Sequence, residues 1–416
     1  MENAEFRKSI DALWRIESAR LIAVLARITR DVGTAEEVAQ DAFLAAMEQW
    51  PVEGTPENPA AWLMSAAKRR AIDRLRRIRM LDRKHEEMGR DMNFERQDDL
   101  DARLDDPVGD DLLRLIFTIC HPVLTTDARV ALALRLLGGL TTDEIARGFL
   151  VSEPTIAQRI VRAKKTLNEK QVAIEMPRPA ELSERLASVL EVIYLIFNEG
   201  YTATAGSDWM RPTLCDEALR LGRILMGLMP DESEVLGLVA LMELQASRLR
   251  TRTNRLGEPV LLMDQDRAKW DQLLIRRGLD ALDRRAKLNR PRGSYALQAE
   301  IVACHARARV AEQTDWAQIA RLYDELVDLT QSPVVELNRA VAVSMSQGPA
   351  AGLAIVDELV REKVLEGYHL LPSVRGDFLL KLGRADEARI EFEKAALWTR
   401  NEWEKALLLD RAKACE

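Results

Sequence analysis

Cysteine, histidine, proline and glycine are scarce in this chain of 416 residues, which holds 4, 4, 15 and 20 of them. Cys120, Cys215, Cys304 and Cys415 are widely scattered with no CxxC pair, and His85, His121, His305 and His369 are the only further soft ligands. This distribution fits a reducing cytoplasm and offers no disulfide framework. His121 beside Cys120 reads either as a fragment of a metal site or as a core cysteine next to a helix-end histidine; the second is preferred, and no metal or cofactor is expected. Long apolar runs are missing too. None approaches the ~18 residues of a membrane span, and the first residues lack the apolar segment of a signal peptide, so a soluble, cytoplasmic chain with no membrane partner is expected. There is no excess of positive charge: the net charge of −7 excludes a uniformly basic nucleic-acid coat, and any DNA surface must be local.

What is there is helical periodicity. In the first segment Ile10, Leu13, Trp14, Leu21, Val24, Leu25 and Ile28 recur three and four residues apart. Almost every long segment repeats that pattern, and the chain reads as all-α. Its length calls for roughly two to four domains. Residues 1–85 form a helical module ending in a basic helix. Residues 86–111 carry eleven acidic side chains against Arg90, Arg96 and Arg103 and few apolar ones, the composition of a linker. Residues 112–172 form a second module, Pro177 and Pro179 mark a boundary, and residues 180–416 are helical again. In that last part Ala320, Ala354 and Ala388 recur every 34 residues, the period of tetratricopeptide hairpins, whose helices approach closely at small side chains. Leu382 to Ala395, LGRADEARIEFEKA, suits the second helix of such a hairpin, with Gly383, Ala388, Phe392 and Ala395 well placed. Gly348 ends one helix before the next begins.

The most informative stretch runs from Gly33 to Arg77. Glu36, Glu37, Gln40 and Asp41 fall on one side of a helix whose Val38, Ala42 and Phe43 point to the core; taken alone, this is an ordinary exposed helix face. After the loop from Pro51 to Pro59 comes a basic helix. There Lys68, Arg69, Arg70, Arg74, Arg76, Arg77 and Arg79 surround an apolar stripe of Ala71, Ile72, Leu75 and Ile78, an arrangement that holds a cationic face in register for phosphates and base edges. A solvated basic face or a protein contact is the competing reading. An acidic edge followed by a basic helix suits a protein that docks on another protein with one face and on DNA with the next.

Leu140 to Leu167 reads as a helix-turn-helix. Thr141 and Glu144 form a capping box, with Ile145 and Ala146 buried behind it. Ser152 caps the second helix and Pro154 sits in its first turn. Ile156, Ile160 and Val161 pack inward, leaving Glu153, Thr155, Gln158, Arg159, Arg162, Lys164 and Lys165 to face DNA.

Residues 10 to 170 resemble an extracytoplasmic-function sigma factor on three strings in the family's order and spacing: GTAEEVAQDAF, WLMSAAKRRAIDRLRR and EIARGFLVSEPTIAQRIVRAKKTL. The helical extension, with FNEGY at Phe197 to Tyr201, resembles the subgroup, group 42, that carries a tetratricopeptide-like C-terminal domain. The resemblance implies that Glu36, Glu37, Gln40 and Asp41 bind the clamp helices of the polymerase β′ subunit, which overturns the reading of that edge in isolation. It implies that Lys68, Arg69, Arg70, Arg74, Arg76 and Arg77 engage the −10 element, and that Ser152, Glu153, Thr155, Gln158, Arg159, Arg162, Lys164 and Lys165 read the −35 element. Core RNA polymerase, through the clamp helices and the β flap, and promoter DNA are the implied partners. The loop PVEGTPENP departs from the family by lacking an aromatic near its end; Asn58 is the candidate for a base pocket there, and Trp62 reads as core. The acidic linker is either a solvated tether or a nucleic-acid mimic threading the polymerase. The repeat domain is expected to regulate in cis, through contact with the sigma modules.

The alternative is a one-component regulator, a helix-turn-helix fused to a repeat-type sensor, which leaves residues 1–85 unexplained. An enzyme is not expected. Glu199, Tyr201 and Asp208 near Gly200 and Gly206 are the only polar knot in the C-terminal part, and a structural loop accounts for them.

Overall fold

A computed structural model of the chain describes residues 2–86, 108–149, 151–201, 210–254, 260–399 and 402–415. Among these residues the secondary structure is helical and no strand forms, as the periodicity requires. The chain divides into two compact units, Met1–Ile193 and Tyr194–Glu416.

The first unit opens with α1 (Glu2–Thr29), α2 (Val32–Glu53) and α3 (Pro59–Glu86). Arg30 takes a left-handed φ of 56° at the reversal between α1 and α2, and the Asp31 side chain then caps α2 by accepting from the Thr34 amide. Ala35, Ala39, Ala42 and Ala46 let α2 lie close along α1, and Trp14 meets Phe43 edge to face with centroids 4.7 Å apart. Helix α2 runs through Pro51, so the connection to α3 is only Gly54 to Asn58, shorter than the loop read from the sequence. Its end is set by Gly54, at φ 89°, whose amide still bonds the Trp50 carbonyl.

Next come α4 (Val108–Ile119), α5 (Thr126–Leu132), a π turn (Ala133–Leu137), α6 (Thr142–Phe149) and α7 (Glu153–Glu169). Most of the acidic linker lies outside the described residues. Its last part does not behave as a tether, because α4 begins at Val108 and Asp111 is fully buried in an ion pair with Arg27 of α1 at 2.7 Å. Beyond Pro177 and Pro179, α8 (Leu182–Tyr201) starts, and its first turns belong to this unit. There Ser188 donates to the Cys120 carbonyl and accepts from Arg129, and Arg185 donates to the Phe117 carbonyl at 2.6 Å.

In the second unit α9 (Pro212–Leu228) packs on α10 (Ser233–Ala246), which is apolar nearly all round and is covered by α11 (Gln272–Lys287) and α12 (Ser294–Arg307). Glu234 of α10 accepts from the Tyr295 and Ala296 amides at the start of α12. Burial raises its carboxyl above the usual range, and those amides oppose the rise. From α12 onward each helix packs on the next: α13 (Trp316–Thr330), α14 (Pro333–Gln347), α15 (Pro349–Glu362), α16 (Leu370–Lys381), α17 (Ala385–Trp398) and α18 (Glu402–Lys413). A helix with two apolar faces links successive cores. Helix α12 gives Ala299 and Ala303 to one and Leu297 and Ile301 to the next, and α14 gives Ala342 and Val343, then Leu337 and Ala340.

The 34-residue alanine register holds at Ala320 and Ala388, which are buried, and fails at Ala354, which is exposed. The close approach in α15 falls instead at Gly352, where a Cβ would stand 2.7 Å from the Ala340 carbonyl oxygen and 2.9 Å from the Phe378 ring. Gly348, at φ 100°, does end α14 and begin α15, and Leu382 to Arg384 form the turn into α17.

Gly352→Ala should lower the unfolding free energy of the full chain by ~1–3 kcal/mol, since backbone cannot yield to the added carbon. Gly227→Ala, on exposed helix with nothing within 4 Å of the new atom, should instead gain up to ~1 kcal/mol. Urea midpoints of the two variants check the contrast.

Candidate protein and nucleic-acid interface

Three helices of the first unit carry every site residue read from the sequence except Asn58 and Ser152, the residues that immediately precede α3 and α7. On α2, Val38, Ala42 and Phe43 are buried as expected, and Glu37 and Asp41 are exposed. Glu36 departs from the solvent-facing edge. It is only 3% exposed, and both its carboxylate oxygens are engaged. Oε1 accepts from Arg135 Nε at 2.8 Å and Gln40 Nε2 at 2.9 Å, and Oε2 accepts from Lys164 Nζ. A carboxylate this deep needs such partners, because water no longer solvates it.

Helix α3 buries Leu63, Ala66, Ala67 and Ala71, while Ile72 and Leu75 are half-buried; the side chains of Ile78 and Arg79 lie outside the described residues. Arg69, Arg76 and Arg77 are exposed, and Lys68, Arg70 and Arg74 are half-buried along its flank. Arg74 donates to Glu37 at 2.7 Å, so the acidic edge and the basic helix touch within one module. Asn58, exposed, caps α3: its side chain accepts from the Ala61 amide at 3.0 Å. Trp62 is half-buried and stands edge to face against the buried Trp50, 5.4 Å between centroids.

The helix-turn-helix begins with the expected capping box. The Thr141 amide donates to Glu144 at 2.8 Å, and the Glu144 amide donates to Thr141 Oγ1 at 3.2 Å. Pro154 lies in the first turn of α7. Two details differ from the sequence reading. Ser152 precedes α7 without a side-chain bond to the helix amides; its hydroxyl pairs with Thr155 Oγ1 at 2.7 Å. Val161 is 64% exposed rather than packed, because the buried stripe is Ile156, Ile160, Ala163 and Leu167, and Val161 lies about 100° round the helix from Ile160. Ser152, Glu153, Thr155, Gln158, Arg162 and Lys165 are solvent-facing or nearly so. Arg159 is half-buried and paired with Asp127 at 3.1 Å. Thr155, Gln158, Arg159, Arg162 and Thr166 line a groove against Thr125 and Ala128 of the α5 end. Lys164, one of the predicted DNA-facing cations, is drawn to Glu36, an acid of another module.

Arg135 and Asn168 were missed in the sequence. Arg135 projects from the π turn, whose Gly138 amide reaches back to the Ala133 carbonyl; its Nη1 also holds the Leu140 carbonyl at 3.1 Å. A signal was present, since a lone arginine in the apolar run from Val130 to Leu137 demands a buried acceptor. Asn168 donates to Asp31 at 3.0 Å.

Cys120 and His121 hold no metal-like cluster, and among the described residues no group of three or more His, Cys, Asp or Glu is arranged for one. Burial pushes the Cys120 thiol up to about 12, with Arg129 and Arg185 pulling the other way. His121 is held below its ordinary value by burial and by Arg185, and its Nδ1 accepts from the Val123 amide. Among the described residues no helix is long and apolar enough to cross a membrane.

FNEGY knits the second unit locally. Glu199 pairs with Arg211, whose amide donates to the Gly200 carbonyl at 2.7 Å. A Cβ at Gly200 would stand 2.7 Å from the Cys215 amide nitrogen. Arg248 donates to the Tyr201 hydroxyl at 2.7 Å, and Arg252 lies 3.7 Å over the Tyr201 ring. Gly206 and Asp208 lie outside the described residues.

Residues 13–80 match the family described as Sigma-70 region 2, residues 117–167 match Sigma-70, region 4, and residues 185–286 match a family of unknown function (DUF6596). An uncharacterized protein of Rhizobium meliloti (strain 1021) is 44% identical over 389 residues, 93% of this chain and 91% of that protein. The ECF RNA polymerase sigma factor SigK of Mycobacterium ulcerans (strain Agy99) is 30% identical over 152 residues, 36% of this chain and 78% of SigK. SigK of Mycobacterium tuberculosis (strain CDC 1551 / Oshkosh) is 30% identical over 153 residues, with the same coverage.

The buried thiols give a test of the fold around this surface. In the native chain at neutral pH iodoacetamide should label Cys415, the half-exposed cysteine, and spare Cys120 and Cys215, both pushed up to about 12 by burial. Because the folded thiols ionise later than unfolded ones at ~8.5, their contribution to stability should be intact below that pH and fade as pH rises toward 12. Mass spectrometry of labelled peptides and an alkaline denaturation series check both.

Proposed function

This chain belongs to the extracytoplasmic-function RNA polymerase sigma-factor family, and from that premise we propose how its surfaces divide the work of promoter recognition. Its two sigma-70 regions give it a role with core RNA polymerase and promoter DNA. Glu36, Glu37, Gln40 and Asp41 dock on the clamp helices of β′, and region 4 meets the β flap. Arg69, Arg76 and Arg77, with Lys68, Arg70 and Arg74 on their flank, engage the −10 element. The sequence departure at the short loop leaves Asn58, beside the entry to α3, as the residue that lines a base pocket there. Thr155, Gln158 and Arg162, with Ser152, Glu153, Arg159, Lys164 and Lys165 around them, read the −35 element in the major groove. RNA synthesis belongs to the polymerase, and the work is cytoplasmic.

The observation that carries this reading is the two-sidedness of α7. Ile156, Ile160, Ala163 and Leu167 anchor one face, while Thr155, Gln158, Arg162 and Lys165 project from the other, behind an intact capping box. The one-component regulator explains that helix equally but gives α1 to α3 no task. Residues 180–416 act in cis as a tetratricopeptide-like regulatory domain; the consecutive packing of α12 to α18 supports that reading.

In run-off transcription with core enzyme and no other sigma factor, the full chain should yield product from its cognate promoter, whereas a plain regulator yields none. Gln158→Ala should cost ~1–3 kcal/mol of discrimination at one upstream base, and Arg76→Ala should weaken DNA binding more uniformly across sequences. A chain ending at Ile193 should differ in yield from the full chain; equal yields would remove the regulatory role of the C-terminal domain.

A further inference from the structure

We propose that a cavity beside the end of α7 binds a small organic anion, with Lys170, Arg178 and Arg185 holding its carboxylate or phosphate head and Val172, Met176 and Pro177 its apolar body. The site lies wholly within the first unit, and the proposal does not depend on the sigma-factor reading.

The walls of the cavity come from separate parts of the chain. Lys170 and Gln171 follow α7, His121 and Val123 belong to the turn between α4 and α5, and Glu181 and Arg185 lie at the start of α8. The irregular stretch from Val172 to Arg178 supplies the rest. Gln171, at a left-handed φ of 49°, turns the chain off α7, and the Val172 amide bonds the Leu167 carbonyl at 3.0 Å, which secures that turn. The enclosed volume is about 500 Å³, a size that suits a small molecule.

Charge decides what enters. Lys170, Arg178 and Arg185 line the cavity against two carboxylates, Glu175 and Glu181, and among the described residues no carboxylate forms an ion pair with any of the three cations. Arg185 is the most constrained of them. Its Nη2 donates to the Phe117 carbonyl at 2.6 Å, which fixes the guanidinium, and its Nε is buried without a hydrogen-bond partner. Burial pulls this guanidinium below the usual arginine range, with Glu181, Cys120 and Glu184 opposing, so further negative charge beside it is favourable. His121 adds a neutral donor: its Nδ1 accepts from the Val123 amide at 3.0 Å, which leaves the ring proton on Nε2. The first turn of α8 contributes the partial positive charge of a helix N-terminus. Lys170 and Arg178 are exposed, so an anion reaches them without the fold opening. Val123, Val172, Met176 and Pro177 give the same cavity an apolar side that a bare inorganic ion would leave unused. An occupant bridges the end of α7 to the start of α8.

The test is methyl NMR on the full chain with labelled methionine, the Met176 signal being identified by its loss in Met176→Leu. Benzoate, phenyl phosphate, inorganic phosphate and the neutral benzamide are each titrated to about 20 mM, where a millimolar site saturates. Benzoate or phenyl phosphate should move the Met176 signal saturably, and the tighter of the two tells a carboxylate head from a phosphate head. Benzamide, which lacks the charge, and inorganic phosphate, which lacks the apolar body, should each bind about tenfold or more weakly. Lys170→Gln combined with Arg178→Gln, both at exposed positions, should weaken the tighter anion by about tenfold or more. No saturable shift with either organic anion overturns the proposal, and so does equal binding of benzamide, of inorganic phosphate, or by the double variant. A Met176 shift produced by duplex DNA and by neither organic anion gives these cations to a nucleic-acid backbone and overturns it as well. Should the double variant fail to fold, the benzoate and benzamide titrations of the unaltered chain decide.

Discussion

A carboxylate buried between two modules sets the terms for the first half of this molecule. Glu36 is almost fully withdrawn from water, and a carboxylate in that position needs cations and donors close to it. The surrounding structure meets that demand. The π turn widens the helix locally and projects Arg135 from an otherwise leucine-lined segment. Helix α7 turns Lys164 toward Glu36. Because Arg135 also bonds the carbonyl just ahead of the helix-turn-helix, its pair with Glu36 ties the region 4 module to the region 2 module. Asp111, by pairing with Arg27, turns the end of an acidic tether into part of the same assembly.

The second unit answers to a different constraint, close approach of helix backbones. Gly352, Gly376, Gly237 and Gly278 each sit where a Cβ would stand within 3 Å of a neighbour, so helix follows helix with small residues at the crossings. The buried polar groups of this unit are held locally. Arg223 meets the buried Glu243 at 2.7 Å, and Arg267 bonds the carbonyls of His305 and Ala308 where α12 ends. Burial together with Arg248 and Arg267 holds His305 down to about 3, which keeps that ring neutral inside the core at any physiological pH.

Much of this was legible residue by residue. The capping box at Thr141 and Glu144 forms as written, because its two hydrogen bonds close within four residues of chain. The apolar stripes of α2 and α7 fall where a 3.6-residue repeat puts them, whereas α1 is buried all round from Leu21 to Ala26; Val161 was misplaced because two adjacent apolar residues do not both lie on the narrow stripe of α7. Pro51 read as a loop residue, yet it lies in the last turn of α2, where the chain had to stay helical only as far as Glu53. Ala354 kept an exact numerical period that the helices do not: they start at Trp316, Pro349 and Ala385, and the crossing moved to Gly352. The acidic edge was the hardest case, since Glu36, Glu37, Gln40 and Asp41 are alike in sequence pattern and only one of them is buried.

The sequence by itself determined the helices, the capped helix-turn-helix, the basic face of α3 and the membership of three family strings, because each of these depends on neighbours within a few turns of the same chain. The tertiary structure alone decided which charges remain available. Glu36 meets Arg135 and Lys164 across about a hundred residues or more of intervening chain, and Asp111 meets Arg27 across a segment that reads as free linker. Such pairs follow from where two modules come to rest, and burial then multiplies their strength by removing water from between them. Local pattern could mark those residues as charged and important, and only the packing of one module on the other could show that they are spent on each other.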